Sequence, residues 1–281
     1  MPPPPEAKAA DGKPRPRPKV RRSSALGRPI SAAEFIGIAT AVFVGLGLAW
    51  WLVTALELIG PLFLPPPRAV VARLVALAAS GDLAEDMRVS VYRITVGFLI
   101  STVCAVPIGI VIGCYSRWEA AIEPLVDFIR YMPVVAFVPL TIVWIGIDDG
   151  QKFLIIWIGT FFQQVLLVMD NVKSVPRDFV NLGRTLEMSE AKILLRIVLP
   201  SAMPAIWDSL RISLGWAWTW LVVAELVAAT SGLGHRINTS IRFFQVDTMF
   251  GYLLLLGVLG LATDQTMKLA HRRLFRYLRD R

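Results

Sequence analysis

The chain has 281 residues, 55% of them hydrophobic, with a mean hydropathy of +0.59. That exceeds the roughly 45–50% apolar content of soluble domains and excludes an ordinary soluble fold. The formal net charge of +8 raises nucleic acid as a partner, but the basic residues lie at the tails and between apolar runs. They lack the aromatic interleaving of single-strand binders, so membrane lipid is the expected surrounding and nucleic acid is not.

In chain order, the opening MPPPPEAKAADGKPRPRPKVRRSS is rich in proline and basic residues and nearly free of large apolar side chains. It cannot bury enough surface to order itself. A secretory signal needs an apolar core near the start, yet the first apolar run begins only near Glu34. The prolines also oppose an amphipathic transit helix. A retained, disordered basic tail is expected over residues 1–33.

Six segments then offer the about 20 apolar residues needed to cross a hydrocarbon core about 30 Å thick. They run near 35–59, 91–114, 124–147, 153–172, 206–230 and 248–267, a six-helix membrane domain over 34–275. In the second, Cys104 and Cys114 are about 15 Å apart along a helix, beyond disulfide reach, and read as packing residues. Gly109 and Gly113 form a small-xxx-small pattern that lets helices approach closely. Pro107, Pro133 and Pro139 either pack between helices or mark kinks that hinge or line a path.

In the fourth span, Gln163 and Gln164 point about 100° apart, so one of them at most faces a central path. Between the fourth and fifth spans lies a long insert, 173–205. Its GRTLEMSEAKILLRIVLPSAMPAIW, starting at Gly183, reads as a polar helix and then an apolar run stopped by Pro200 and Pro204. In the fifth span Arg211, Gly215, Trp218, Val222 and Glu225 share one face. Arg211 and Glu225 are about 21 Å apart on the axis, so each needs a partner elsewhere, as a fixed ion pair or in a hydrated path. In the last span Asp264 and Lys268 are spaced to pair. A basic tail, 276–281, follows.

Lys and Arg resist translocation and set orientation. With six spans, one side holds 20 of them and the other 6. Both tails and the 173–205 insert therefore read as cytoplasmic. No phosphate-binding G-x-x-x-x-G-K-[ST] is present, nor H-E-x-x-H, nor a G-x-S-x-G turn, so the chain offers no catalytic or ATP-binding chemistry of its own.

The insert resembles the EAA loop of permease subunits of ATP-binding-cassette importers, in which Glu-Ala-Ala precedes a Gly and then Ile-x-Leu-Pro. The ending is intact at Ile197, Leu199 and Pro200. By the family spacing, the Glu-Ala-Ala positions fall on Asn181, Leu182 and Gly183, and the glycine on Glu187. The flanking VYRITVGFLIS, IRYMPVVAFVPLTIVWIGI and LRISLGWAWTWLVVAELVAATSGLG look like permeases of the nitrate, sulfonate, taurine and bicarbonate group.

The resemblance implies an all-α inner-membrane protein with six transmembrane helices, of the type I importer permease fold, whose loop forms a cytoplasmic coupling helix. It implies partner ATPase subunits that bind ATP and magnesium, an extracytoplasmic substrate-binding protein and a second permease copy, with no cofactor in this chain. Gln163, Arg211, Trp218 and Glu225 are candidates to line the path. Glutamate does not readily take φ > 0, so at Glu187 either the turn has another shape or the ATPase groove supplies a compensating base. The competing reading is an ion-coupled secondary transporter, for which inverted repeats are expected and none is visible.

Overall fold

The computed structural model describes residues 30–276, so most of the 1–33 tail and nearly all of 276–281 lie outside the described residues. Residues 1–49 and 50–281 form separate units. Every regular element among the described residues is helical. Helix α1 (Ala32–Ala55) is apolar along its whole length. Helix α2 (Pro67–Ser80) starts on proline, whose missing N–H costs nothing at that position. It ends on Gly81, whose φ of +86° lets the chain turn directly into α3 (Asp82–Cys114). Asp82 and Glu85 in the first turn of α3 suit the positive end of the helix dipole.

Helices α4 (Ser116–Arg130) and α5 (Phe137–Ile145) flank a 3₁₀ turn, Val134–Ala136, and α6 (Asp149–Lys173) follows. The short α7 (Arg177–Thr185) and α8 (Glu190–Ile193) precede a π-helical segment, Leu194–Val198, that runs straight into α9 (Leu199–Ala228). Helices α10 (Leu233–Arg242) and α11 (Val246–Leu274) complete the chain.

The expected apolar spans correspond to α1, α3, α6, α9 and α11, each long and apolar enough to cross a membrane. The expected third span is broken: α4 and the α5 arm meet at 77°. Pro133 lies in the break, has no N–H to continue the α4 ladder and disfavours helical geometry at Met132. Helices α2 and α10 were not expected.

Helices α3 and α6 form the centre of the second unit. Gly97, Ser101, Ala105, Gly109 and Gly113 recur every fourth residue on α3, and a Cβ at Gly109 would fall on Val168 and the Val165 carbonyl. At Gly113 it would fall on Val172 and the Met169 carbonyl. The small-xxx-small expectation thus marks the α3–α6 seam, where backbone approach leaves no room for a methyl. Across the seam, Ser101 Oγ donates to Gln164 Oε1 at 3.0 Å. Leu99, Val103, Leu253, Leu254, Val258 and Leu261 stay exposed, as lipid-facing residues do.

Proline does not stop the chain after the insert, contrary to expectation. Pro200 and Pro204 lie inside the continuous helix α9. The π segment accommodates Pro200: the Leu199 N–H reaches back to the Leu194 carbonyl, a wider turn than an α-helix makes.

Candidate functional site

Three polar or exposed regions stand out from the apolar bundle. The first is the 173–205 insert. Helix α7 folds back against α8 and the π segment because Gly183 is buried; a Cβ there would meet Ile193 and Ile197. Val175, Ile193 and Val198 belong to the same core cluster as Val172 and Ala202, so the insert is fused to the bundle. Its outer face is apolar yet exposed: Phe179, Leu182, Leu186 and Leu195 are 47%, 57%, 66% and 62% exposed. Asn181, Glu187 and Pro200 are exposed too, while Ile197 and Leu199 are half-buried.

The turn after α7 is built as a glycine turn. The Met188 N–H donates to the Gly183 carbonyl at 3.0 Å and the Glu187 N–H to the Arg184 carbonyl at 2.9 Å. That pair of bonds is the Schellman arrangement, which places its penultimate residue in the left-handed region. The residue there is Glu187, with φ +54°. The turn therefore keeps the shape expected for the family's glycine, with a glutamate held in it.

The second region is a buried ionic clamp where α3, α6, α9, α10 and α11 meet. Glu225 is fully buried and accepts from Arg93 Nη1 at 2.9 Å, Ser90 Oγ at 2.8 Å and the Gly234 N–H at 2.8 Å. Arg93 also donates to Asp149 Oδ1 at 2.7 Å and to the Ser231 carbonyl at 2.7 Å. Asp86 accepts from Arg236 Nε at 2.8 Å, the Tyr252 hydroxyl at 2.8 Å and the Gly232 N–H at 3.2 Å. Leu233 N–H donates to Ser90 Oγ. The unpaired N–H groups at the start of α10 are thus capped by side chains from α3 and α9. Burial disfavours the Arg236 charge, but the Asp86 bond and charge outweigh it and hold its pKa above the usual value. Gly232, at φ +108°, is obligatory: a Cβ would strike the Glu225 carboxylate and Arg93.

The third region is a cavity of about 170 Å³ at the α4–α5 break, lined by Arg130, Phe162, Gln163, Ser213, Trp216 and Trp220 among others. Ser213 lies near the middle of α9 and Gln163 near the middle of α6, so the cavity is at mid-depth of the bundle. The Trp220 indole lies directly over Gly159, where a methyl would collide with the ring.

The four residues singled out in the sequence are not brought together. Gln163 is exposed on the cavity, while Gln164 is buried in the α3–α6 seam. Arg211 binds Asp264 at 3.0 Å, Asp264 binds Lys268 at 2.8 Å, and Trp218 Nε1 donates to Thr263 Oγ1 at 3.1 Å. Arg211 and Trp218 therefore face α11, and Glu225 is held in the clamp. Sequence reading missed Arg93 and Asp86 as the clamp's other members, and Ser213 and Trp220 as cavity residues. Spacing offered a signal for the latter: Ser213, Trp216 and Trp220 recur at helical intervals on the α9 face opposite Arg211.

An apolar bundle with a broken mid-membrane span, a polar centre and an exposed helical insert describes a membrane permease component. Residues 105–276 match the family described as binding-protein-dependent transport system inner membrane component, and the chain belongs to that family. A probable ABC transporter permease protein of Brucella melitensis is 38% identical over 82% of this chain and 92% of its own. The taurine transport system permease protein TauC of Escherichia coli is 31% identical over 80% and 84%. The fold is similar to that of the MetNI methionine ABC transporter in an inward-facing conformation, with a TM-score of 0.58 at 16% identity over 66% of this chain and 92% of that one. The chain is a permease subunit of an ABC importer, not an enzyme, and the ATPase is a separate subunit.

Proposed function

We propose that this chain, paired with a second copy of itself, forms the path through which a small anion such as a sulfonate enters the cell across the inner membrane. Both termini and the 173–205 insert lie on the cytoplasmic side. An extracytoplasmic binding protein delivers the solute, and two ATPase subunits, which bind ATP and magnesium, drive the cycle. The observation that carries this reading is the exposed row of Phe179 and Leu182 on α7 and Leu186 at its C-cap. It is an apolar face outside the membrane spans, on a helix held rigidly to the core. Such a face suits a complementary groove on a partner, and a rigid mount passes motion from that groove to α9.

The row commits the reading to a test. Leu182→Asp in the full chain should leave the permease inserted and as heat-stable as the parent, within about 0.5 kcal/mol as for other surface changes. Its co-purification with the co-expressed ATPase should fall at least about tenfold, in line with loss of a central apolar anchor. Unchanged co-purification would sink the coupling role of α7. Uptake that stops on ATP depletion but survives an uncoupler checks the energy source.

A further inference from the structure

A cavity of about 320 Å³ lies where α1 leaves the apolar span, and all of its lining belongs to residues 50–281. Glu57 and Arg68 both line it and both are exposed, yet neither side chain has a hydrogen bond or ion pair among the described residues. The local fold explains where each stands but not why it is charged. The Leu58 N–H donates to the Val53 carbonyl at 3.2 Å and the Glu57 N–H to the Thr54 carbonyl at 3.4 Å. That is again the Schellman arrangement, with Glu57 in its left-handed position at φ +52°. Glycine is the usual occupant there and an L-residue is disfavoured, so the carboxylate is held at the cavity against backbone preference. Strain of this kind is concentrated at binding positions. Arg68 sits in the first turn of α2, where the helix dipole disfavours a cation.

The surroundings of the cavity are fixed by contacts within the second unit. Trp50 Nε1 donates to the Pro65 carbonyl at 3.0 Å, and its ring stacks on Phe250 with centroids 6.0 Å apart. Thr54 Oγ1 turns back to the Trp51 carbonyl at 2.9 Å. Pro65, Pro66 and Pro67 fix φ through the connection to α2. The surface beside the two charges is apolar: Leu56, Leu58, Leu62 and Phe63 are 59%, 68%, 55% and 76% exposed, all beyond the last residue of α1. Trp51, on the lining, is exposed too, as tryptophans at a membrane–water interface are. A soluble ion would meet Glu57 or Arg68 and leave these apolar residues uncovered. An amphiphile answers both. The volume falls at the low end of the roughly 300–1,000 Å³ of ligand pockets, which suits a headgroup whose apolar body stays outside.

We propose that this cavity binds a phospholipid with a zwitterionic ethanolamine headgroup. The Arg68 guanidinium donates to the phosphate oxygens, which its planar fork fits. The Glu57 carboxylate accepts from the ammonium, and the acyl chains cover Leu56, Leu58 and Phe63. The opposed charges of the site match those of the head. A glycerol headgroup brings no cation to Glu57, and a choline headgroup brings one with no N–H to donate. Under the orientation proposed above, the lipid belongs to the extracytoplasmic leaflet, but the site does not depend on the importer reading.

The test is native mass spectrometry of the full chain, stripped of lipid in detergent and titrated with dioleoyl phospholipids carrying ethanolamine, choline or glycerol headgroups. The ethanolamine lipid should bind with an apparent Kd about tenfold or more below those of the other two. Glu57→Gln and Arg68→Gln should each raise that Kd about tenfold, since each loses a hydrogen bond between charged groups. Arg68→Lys, which keeps the cation, should remain within about threefold of the parent. Glu57→Gly takes φ > 0 freely, so it should lose the selectivity while unfolding at no lower a temperature than the parent. That variant separates lipid binding from folding. Glycerophosphoethanolamine, the same head without acyl chains, should bind at least about tenfold more weakly than the lipid. Equal binding of the three lipids, an unchanged Kd in both glutamine variants, or equal binding of the chain-free head overturns the site. Loss of binding-protein docking in the glutamine variants, with lipid affinity unchanged, overturns it in favour of a protein contact.

Discussion

The clamp around Glu225 and the cavity around Ser213 both place polar groups inside an apolar bundle, and they treat them in opposite ways. In the clamp, Glu225, Arg93 and Asp86 each have several partners at 2.7–3.2 Å, and even the Gly232, Leu233 and Gly234 amides are answered by side chains. At the cavity, the Ser213 hydroxyl and the Trp220 indole N–H have no partner among the described residues. Matched charges fix the relative positions of five helices. The unmatched donors add no hydrogen bond to the packing of the helices.

Removing a member from each region separates the two roles. Arg93→Met strands the Glu225 carboxylate without its cation and should destabilise the chain by about 3–5 kcal/mol. Thermal unfolding in detergent measures this, and a loss under about 1 kcal/mol would mean that water or another cation relieves the site. Gly159→Val pushes against the Trp220 ring and should cost about 1–3 kcal/mol, the usual penalty for overpacking, while also moving an indole that lines the cavity. The unfolding temperature should therefore fall, and a variant that unfolds at the parent's temperature would show that the ring moves aside freely.

Glu187→Gly sharpens the contrast from the backbone side. The left-handed conformation disfavours an L-residue by about 1–2 kcal/mol, and part of that gain is offset by the greater freedom of an unfolded glycine. A net stabilisation of about 1 kcal/mol is expected, with assembly and ATP-coupled uptake retained. Loss of complex formation would instead give the Glu187 carboxylate a direct role on the ATPase. Smallest of all, Ser213→Ala should change unfolding stability by no more than about 0.5 kcal/mol, since no bond is lost. A large drop in the unfolding scan would show that the hydroxyl is structural after all.

Much of the bundle was legible because lipid imposes strong rules. The apolar runs found α1, α3, α6, α9 and α11, and Gly109 with Gly113 pointed to a close seam, since only small side chains fit one. Pro133 carried the alternative of a kink in the sequence, but hydropathy carries no direction, so the 77° size of the turn between α4 and α5 was not legible. The polar α10 looked like loop because its caps come from Asp86, Ser90 and Glu225, far away in sequence. Charge drew attention to the α9 face of Arg211 and Glu225, and rightly required partners for both. Which partners, Asp264 and Arg93, only tertiary packing could tell. The face with Ser213 and Trp220 carries no charge and so gave a fainter signal.

The π turn between α8 and α9 holds one residue more than the helix on either side would need. Each residue of an α-helix turns the chain by about 100°. Deleting one residue from Leu194–Val198 would regularise the turn and swing α7 by about a quarter of a revolution around the α9 axis. The ring of Pro200, which faces the Arg196 carbonyl inside the wide turn, would then lose the slack that turn provides. The bearing of Leu182 is thus written in a residue count upstream of Pro200, where an insertion or deletion would redirect the whole surface while leaving every side chain on it intact.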